Sequence, residues 1–189
     1  MKEIEAKFKL NDPNKVLKQK GLSVVSKNHV IDIYFDNPSV NLKKDDRVLR
    51  LRKENDKCLI AYKGPRDKKS KIIEREEIEE EVSDFEQTYK IITSLGFIPI
   101  AKAEKGRTTI SYDDVKITLD KYPFIGYFVE IEGEYDKVIS VSKMLGFDLK
   151  DSIKKNCTES FLEYCKEKRL KLDNPALCFT FDDEKKYSN

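Results

Sequence analysis

Charged and apolar residues alternate along several strand-length segments of this chain, and the sign of the charge sorts from one segment to the next. The opening EIEAKF sets Glu3, Glu5 and Lys7 against Ile4, Ala6 and Phe8. Residues two apart share a face of a strand, so one face carries two carboxylates and an ammonium while the other is apolar. The pairing returns in FVEIEG, where Glu130 and Glu132 oppose Val129 and Ile131. Between these ends, Arg50 and Arg52 oppose Leu49 and Leu51, and Lys105 shares a face with Arg107. Asp120 lies with Lys116 and Thr118 opposite Val115, Ile117 and Leu119, and Lys63 ends its own segment. Segment 71–82 has charge on both faces; the phase adopted here pairs Arg75 with Glu77.

Strands are expected at 2–10, 29–36, 47–53, 57–63, 71–82, 97–111, 115–120 and 127–133. Those at 47–53 and 57–63 flank ENDK as a hairpin. Helices are expected from Asp12-Pro13 to Lys20, over 84–95 with Gly96 as its stop, near 135–146 and over 151–169. Residues 171–189 read as a polar, Pro-containing tail. With 189 residues there is enough chain for one domain with a real core. Eight strands with interspersed helices predict an α+β fold. The closed option is an eight-stranded antiparallel β-barrel with surrounding helices, which leaves no bare edge.

For any one strand the simpler reading is that its charged face meets water over an apolar core. Across the set that reading weakens, because the terminal strands supply acids and the middle strands supply Arg and Lys. Turned inward, these faces would bury many charges at high cost. The cost falls if the lumen is wet and takes a ligand of complementary charge. A polyphosphate with a divalent cation fits: bases neutralise phosphate oxygens, carboxylates hold the metal, and the metal bridges the two. Amphipathic helices would then cover the apolar outer faces.

Composition narrows the alternatives. Lys and Arg number 37 against 35 Asp and Glu, a net charge of +2, which argues against a dedicated nucleic-acid binder. Cys58, Cys157, Cys165 and Cys178 form no C-x-x-C pair, and His29 stands alone, so neither structural zinc nor a disulfide framework is expected. Reduced thiols predict a cytoplasmic protein. The charged start does not read as a signal peptide, and no apolar run approaches membrane-spanning length. His29 reads as a surface strand residue, and Tyr34, Phe35 and Phe97 as packing. The basic loop 66–71 reads as solvated, or as a lid that screens incoming phosphate. Lys154 and Lys155 read as outward residues of the last helix.

The motifs E-I-E-A-K, D-x-Y-F-D (Asp32 to Asp36), L-R-L-R, Y-K-G-P, R-x-E, L-G-F, K-x-R, L-D and F-V-E-I-E stand in the order and approximate spacing of the CYTH superfamily, the triphosphate tunnel metalloenzymes. The chain resembles that family from Glu3 to about Glu132, and is most similar to its class IV adenylyl cyclase branch. The resemblance implies a tunnel domain over 1–170 followed by the 171–189 tail. It implies a two-metal site for Mg²⁺ or Mn²⁺, a nucleoside or inorganic triphosphate as partner, and a homodimer. By position, Glu3, Glu5, Glu130 and Glu132 resemble the family's metal-binding acids, with Asp120 assisting. Lys7, Arg50, Arg52, Lys63, Arg75, Lys105 and Arg107 resemble its triphosphate ligands, and Glu77 its middle-strand acid. The implied reaction is conversion of ATP to cyclic AMP and pyrophosphate. Inorganic, nucleoside or thiamine triphosphatase activity is the alternative, and a non-catalytic polyphosphate-binding module is a third. Lys7, its pKa lowered by neighbouring bases, is the candidate catalytic base.

Overall fold

The structure is a computed structural model that describes residues 2–171 and 177–187. Eight strands form its frame: β1 (Lys2–Leu10), β2 (Ser23–Asp36), β3 (Val48–Glu54), β4 (Lys57–Lys63), β5 (Ile73–Val82), β6 (Ile98–Tyr112), β7 (Val115–Tyr122) and β8 (Gly126–Glu132). They run in the spatial order β2-β3-β4-β5-β1-β8-β7-β6, and β6 pairs back onto β2. All eight of these pairings are antiparallel. The sheet is therefore a closed barrel, as expected, and closure removes its edges. A ninth strand, β9 (Leu177–Phe179), runs parallel to β6 along Ala101–Ala103.

The helices are α1 (Asn14–Leu17), α2 (Asn41–Lys44), α3 (Phe85–Ser94), α4 (Tyr135–Met144), α5 (Cys157–Lys168) and α6 (Phe181–Tyr187). Helix α3 starts where Asp84 accepts from the Gln87 amide at 2.9 Å, and stops ahead of Gly96 at φ +89°. Three apolar clusters cover the barrel. Helix α4 packs Val138 and Val141 against Ala6, Phe8, Ile117 and Ile131. Helix α3 packs Ile92 against Phe35 and Leu51. At one end, Phe161 of α5 and Phe179 of β9 meet Tyr122 and Phe128, which share the inward phase of Asp120 and Glu130. These side chains form an apolar plug beside the lumen. Burial of each such side chain contributes roughly 1.5–3 kcal/mol.

Four local expectations are corrected. The helix expected to run to Lys20 is the four-residue α1, with Val16 as its single buried anchor. Strand β2 begins six residues early because the long β6 offers partners to Ser23–Asn28. The short α2 went unforeseen: Asp36 caps it from a distance, accepting from the amides of Leu42 and Lys43 at 3.0 and 2.9 Å. Helix α5 begins at Cys157 rather than 151, because Asn156 and Glu159 form a reciprocal capping box. The residues before it make a 3-10 turn, Leu149–Asp151, and an extended stretch tied to β1 by Ile153 N donating to the Lys7 carbonyl at 2.7 Å. Within 171–189, β9 and α6 occupy 177–187; residues 172–176 and 188–189 lie outside the described residues.

A charged lumen as the candidate functional site

The first three odd-numbered positions of β1 point into the barrel, whereas Lys9 is exposed. Glu3, Glu5 and Lys7 line its lumen, while Ala6 and Phe8 sit in the outer core. The same alternation brings in Arg50 and Arg52 from β3, Lys63 from β4, Arg75 and Glu77 from β5, Lys105 and Arg107 from β6, and Glu130 and Glu132 from β8. The phase chosen for β5 is the one the barrel adopts. All these side chains share one cavity of about 980 Å³. That is at the upper end of the roughly 300–1,000 Å³ typical of small-molecule sites. Asp120 does not reach the cavity surface. It is fully buried behind it, accepting from Lys105 Nζ at 2.7 Å and from Arg107 Nε and Nη2 at 2.7 and 2.6 Å.

Most acids and bases of the lumen hold one another. Lys7 pairs with Glu130 at 2.9 Å, and Arg107 reaches the same carboxylate at 3.0 Å. Lys63 bridges Glu3 at 2.6 Å and Glu77 at 3.0 Å. Arg52 donates to Asp32 through Nε and Nη2 at 2.7 and 3.0 Å, and Arg50 donates to Glu79 at 2.7 Å. Arg75 is aimed instead at two backbone carbonyls, those of Gly64 at 2.7 Å and Asp46 at 2.8 Å. Lys116 and Glu132 pair at 3.0 Å where both are substantially exposed.

These contacts set the protonation of the site. Burial, with Glu130 and Glu3 adding to it, pushes Glu5 well above the ordinary carboxylate range. Burial also raises Glu3, although Lys63 opposes the shift. Burial would raise Glu130 too, but Lys7, Lys105 and Arg107 together hold it well below its ordinary value. For Lys7, the cost of burial is outweighed by Glu130 and Glu5, so its pKa is raised. This corrects the expectation of a lowered Lys7. The register sets Lys7 directly across from Glu130, a partner that stabilises the ammonium. The lysine whose pKa is lowered is Lys105, through burial and then Arg107, with Asp120 opposing.

The β1–β8 wall suits a divalent cation in its chemistry. Glu3 Oε2 is buried with no hydrogen-bond partner, and Glu5 is crowded by Glu130 and Glu3. Carboxylate oxygens are the ligands hard cations take, and a cation would relieve this crowding. Among the described residues no three such side chains converge into a ready-made metal cage. Glu3 and Glu130 are drawn to Lys63 and Lys7 instead, so loading a metal requires those ion pairs to open.

Several residues of the lumen escaped the sequence reading. Asp32, almost wholly buried behind the lining, serves Arg52; the sequence named it only as part of the D-x-Y-F-D motif, without a role. Glu79 joins Glu77 on the inward face of β5. Tyr34, expected to pack, lines the cavity, with its hydroxyl 3.3 Å from Cys157 Sγ. The 66–71 loop is anchored rather than freely solvated. Arg66 binds Asp46 at 2.6 Å and the Lys154 carbonyl, and Lys154 Nζ donates to the Ser70 carbonyl. Lys154 and Lys155 precede α5 and border the lumen. His29 is exposed on β2, beside Glu104.

A family model described as the CYTH domain matches residues 1–172. A Methanocaldococcus jannaschii protein provisionally named an adenylate cyclase is 34% identical over 149 residues, spanning 77% of this chain and 84% of that protein. The solved structure of a Pyrococcus horikoshii protein superposes with a TM-score of 0.72 at 30% identity, covering 85% of this chain and 98% of that one. A Hippeastrum structure, described as a candidate adenylyl cyclase with dominant triphosphatase activity, superposes with a TM-score of 0.61 at 20% identity, covering 77% of this chain and 88% of that one. Among the described residues no helix is long and apolar enough to cross a membrane.

Proposed function

The chain belongs to the CYTH domain family, and from that premise we propose that it is a metal-dependent enzyme acting on a triphosphate, converting ATP to cyclic AMP and pyrophosphate. One observation carries the reading: acids and bases crowd a single lumen, each held by a partner that a phosphate oxygen or a cation can replace. In the ring of strands β8 lies opposite β3, while β6, two strands from β8, brings Arg107 to 3.0 Å from Glu130. A triphosphate in this lumen would meet Arg50, Arg52, Lys105 and Arg107. Glu3, Glu5, Glu130 and Glu132 would hold Mg²⁺ or Mn²⁺. The present ion pairs act as placeholders: each base released by its carboxylate gains a phosphate oxygen, so the lumen need never bury a bare charge.

The chemistry divides accordingly. Arg50 and Arg52 bind phosphate oxygens as forks, which suits planar, two-point recognition. Asp120 and Asp32 stay behind the wall and fix the aim of Lys105, Arg107 and Arg52. This makes Asp120 a positioning residue rather than a metal ligand. Lys7, kept as an ammonium beside Glu130, serves as a phosphate ligand and not as the base. When bound, a divalent metal neutralises phosphate charge and lowers the pKa of the attacking oxygen. In the cyclase reaction the ribose 3′-hydroxyl gives its proton to water as it attacks the α-phosphorus, the bond to the bridging oxygen breaks, and pyrophosphate leaves with those electrons.

Hydrolysis is the second reading. The charged wall addresses phosphates alone, and water needs no nucleoside to orient it. Product analysis with ATP and Mg²⁺ or Mn²⁺ tests the choice. Cyclic AMP with pyrophosphate supports the cyclase. ADP with phosphate, or rapid cleavage of inorganic triphosphate without cyclic product, assigns a triphosphatase. No turnover of ATP, inorganic triphosphate or thiamine triphosphate leaves neither standing.

A further inference from the structure

One sector of the lumen is lined by apolar and aromatic side chains, with Arg50, paired on β3 with Tyr34, at its border. Tyr34 of β2 lies directly across from Ala101 of β6, and Ala101 pairs in turn with Leu177 of β9. All three line the cavity. The β2–β6 register slips at this level: Tyr34 pairs with Ala101 and Phe35 with Pro99, leaving Ile100 as the extra residue of a bulge. A bulge re-aims a side chain, and Ile100, on the outward phase of Lys102 and Glu104, lines the cavity as well. Strand β9 takes the stretch of β6 that β7 leaves bare, since β7 begins pairing only at Gly106. Phe179, two residues on, is fully buried in the plug, stacked on Phe161 at 4.5 Å. Leu177 and Tyr34 are only partly buried, so they are wall rather than core. The family match ends at residue 172, before β9 begins.

We propose that Tyr34, Ile100, Ala101 and Leu177 form the seat for the uncharged ring of a nucleobase, with Leu177 on the C-terminal strand as a specificity-determining residue. This rests on the triphosphate reading above. An inorganic triphosphate has no use for an apolar wall, whereas a base gains from burying its faces against one. The wall also favours a neutral ring over a cationic thiazolium. Of the two nearby carboxylates, Asp32 is held by Arg52 at 2.7 and 3.0 Å and Asp36 is committed to the amides of Asn37, Leu42 and Lys43 at 2.8 to 3.0 Å. Strand β9 is therefore part of the binding cavity and not an appendage to it.

The test uses the full chain and equilibrium binding of three probes: a non-cleavable ATP analogue, imidotriphosphate and thiamine triphosphate. Leu177→Gln keeps the volume and makes the wall polar. It should weaken the ATP analogue about tenfold, as loss of a hydrophobic pocket contact does, while imidotriphosphate stays within about twofold. Equal weakening of both, or no change for the ATP analogue, overturns the proposal and leaves the triphosphate reading intact. So does a wild type that binds imidotriphosphate but not the analogue, or one that prefers thiamine triphosphate. If the wild type binds none of the probes, both readings fall. The chain contains no tryptophan, so Leu177→Trp supplies an apolar reporter that does not depend on the polar variant folding. Its emission should shift with the ATP analogue and not with imidotriphosphate; an equal response to both contradicts the assignment.

Discussion

Arg52 and Asp32 meet through two parallel hydrogen bonds, and both side chains are buried. The planar fork of arginine is what allows this pairing and a simultaneous approach to phosphate. Arg52→Lys keeps the charge and loses the fork, so affinity for inorganic triphosphate should fall about tenfold; wild-type affinity in calorimetry would reduce Arg52 to a support of the barrel. Asp32 carries a pH signature. Burial works against its charge, yet Arg52 and Arg50 hold its pKa below the ordinary value. A carboxylate depressed on folding contributes its full stability above its unfolded pKa, about 3.9; the contribution declines below that value and is gone only once pH has fallen through the depressed folded-state pKa. Asp32→Asn should therefore cost about 3–5 kcal/mol at pH 7, the range for breaking a buried pair. The gap to wild type should narrow below about pH 4. Urea unfolding at pH 7 and pH 3 measures both, and a constant gap would refute the linkage. The metal acids give a third prediction at this scale. Glu130→Gln with Glu132→Gln retains shape but removes charge, so turnover should lose its dependence on Mg²⁺ or Mn²⁺ while the far-ultraviolet dichroism persists.

Among the elements, the β6–β7 hairpin joins the metal wall to the basic wall, carrying Lys105 and Arg107 on one strand and Asp120 on the other. Its turn residues, Asp113 and Asp114, have φ of +46° and +58°. Two left-handed residues in succession are the signature of a tight hairpin turn in which glycine is favoured at the second place. Asp114→Gly removes that strain at the loss of an exposed ion pair to Lys137, which holds little. A gain of about 1 kcal/mol is expected by chemical denaturation; a loss would show that the ion pair matters more than the backbone. The bounds of the two strands around this turn were legible because Asp-Asp between two alternating runs is a local signal. The starts of α2 and α5 were less so. Asp36 caps a helix several residues downstream, and Asn156 competes with an equally polar Asp151, so spacing alone did not separate true caps from neighbours.

As a whole molecule, the barrel balances acids and bases in its lumen and needs a charged guest to exchange partners with. Inorganic triphosphate with Mg²⁺ at a hundred times its dissociation constant should stabilise the fold by about 2.7 kcal/mol. For a domain of this size that is a rise of about 5–10 °C in melting temperature. Triphosphate without metal should give a smaller rise, since the crowded acids of β1 and β8 then stay uncompensated; equal shifts would argue that these acids hold no cation. The alternation of residues along each strand, and therefore which side chains share a face, was determined by the sequence alone, because a period of two is a property of the local backbone. So was the segregation of acids and bases into different strands. Whether those faces looked inward was decided only when β6 closed onto β2. Closure is a long-range pairing that no single segment encodes. The same holds for Lys7, whose pKa is set by Glu130 across the strand pair, for Asp32 beneath Arg52, and for Leu177 beside Ala101. Each is a partnership between residues far apart in the chain, and a sequence pattern states which faces exist but not which faces meet.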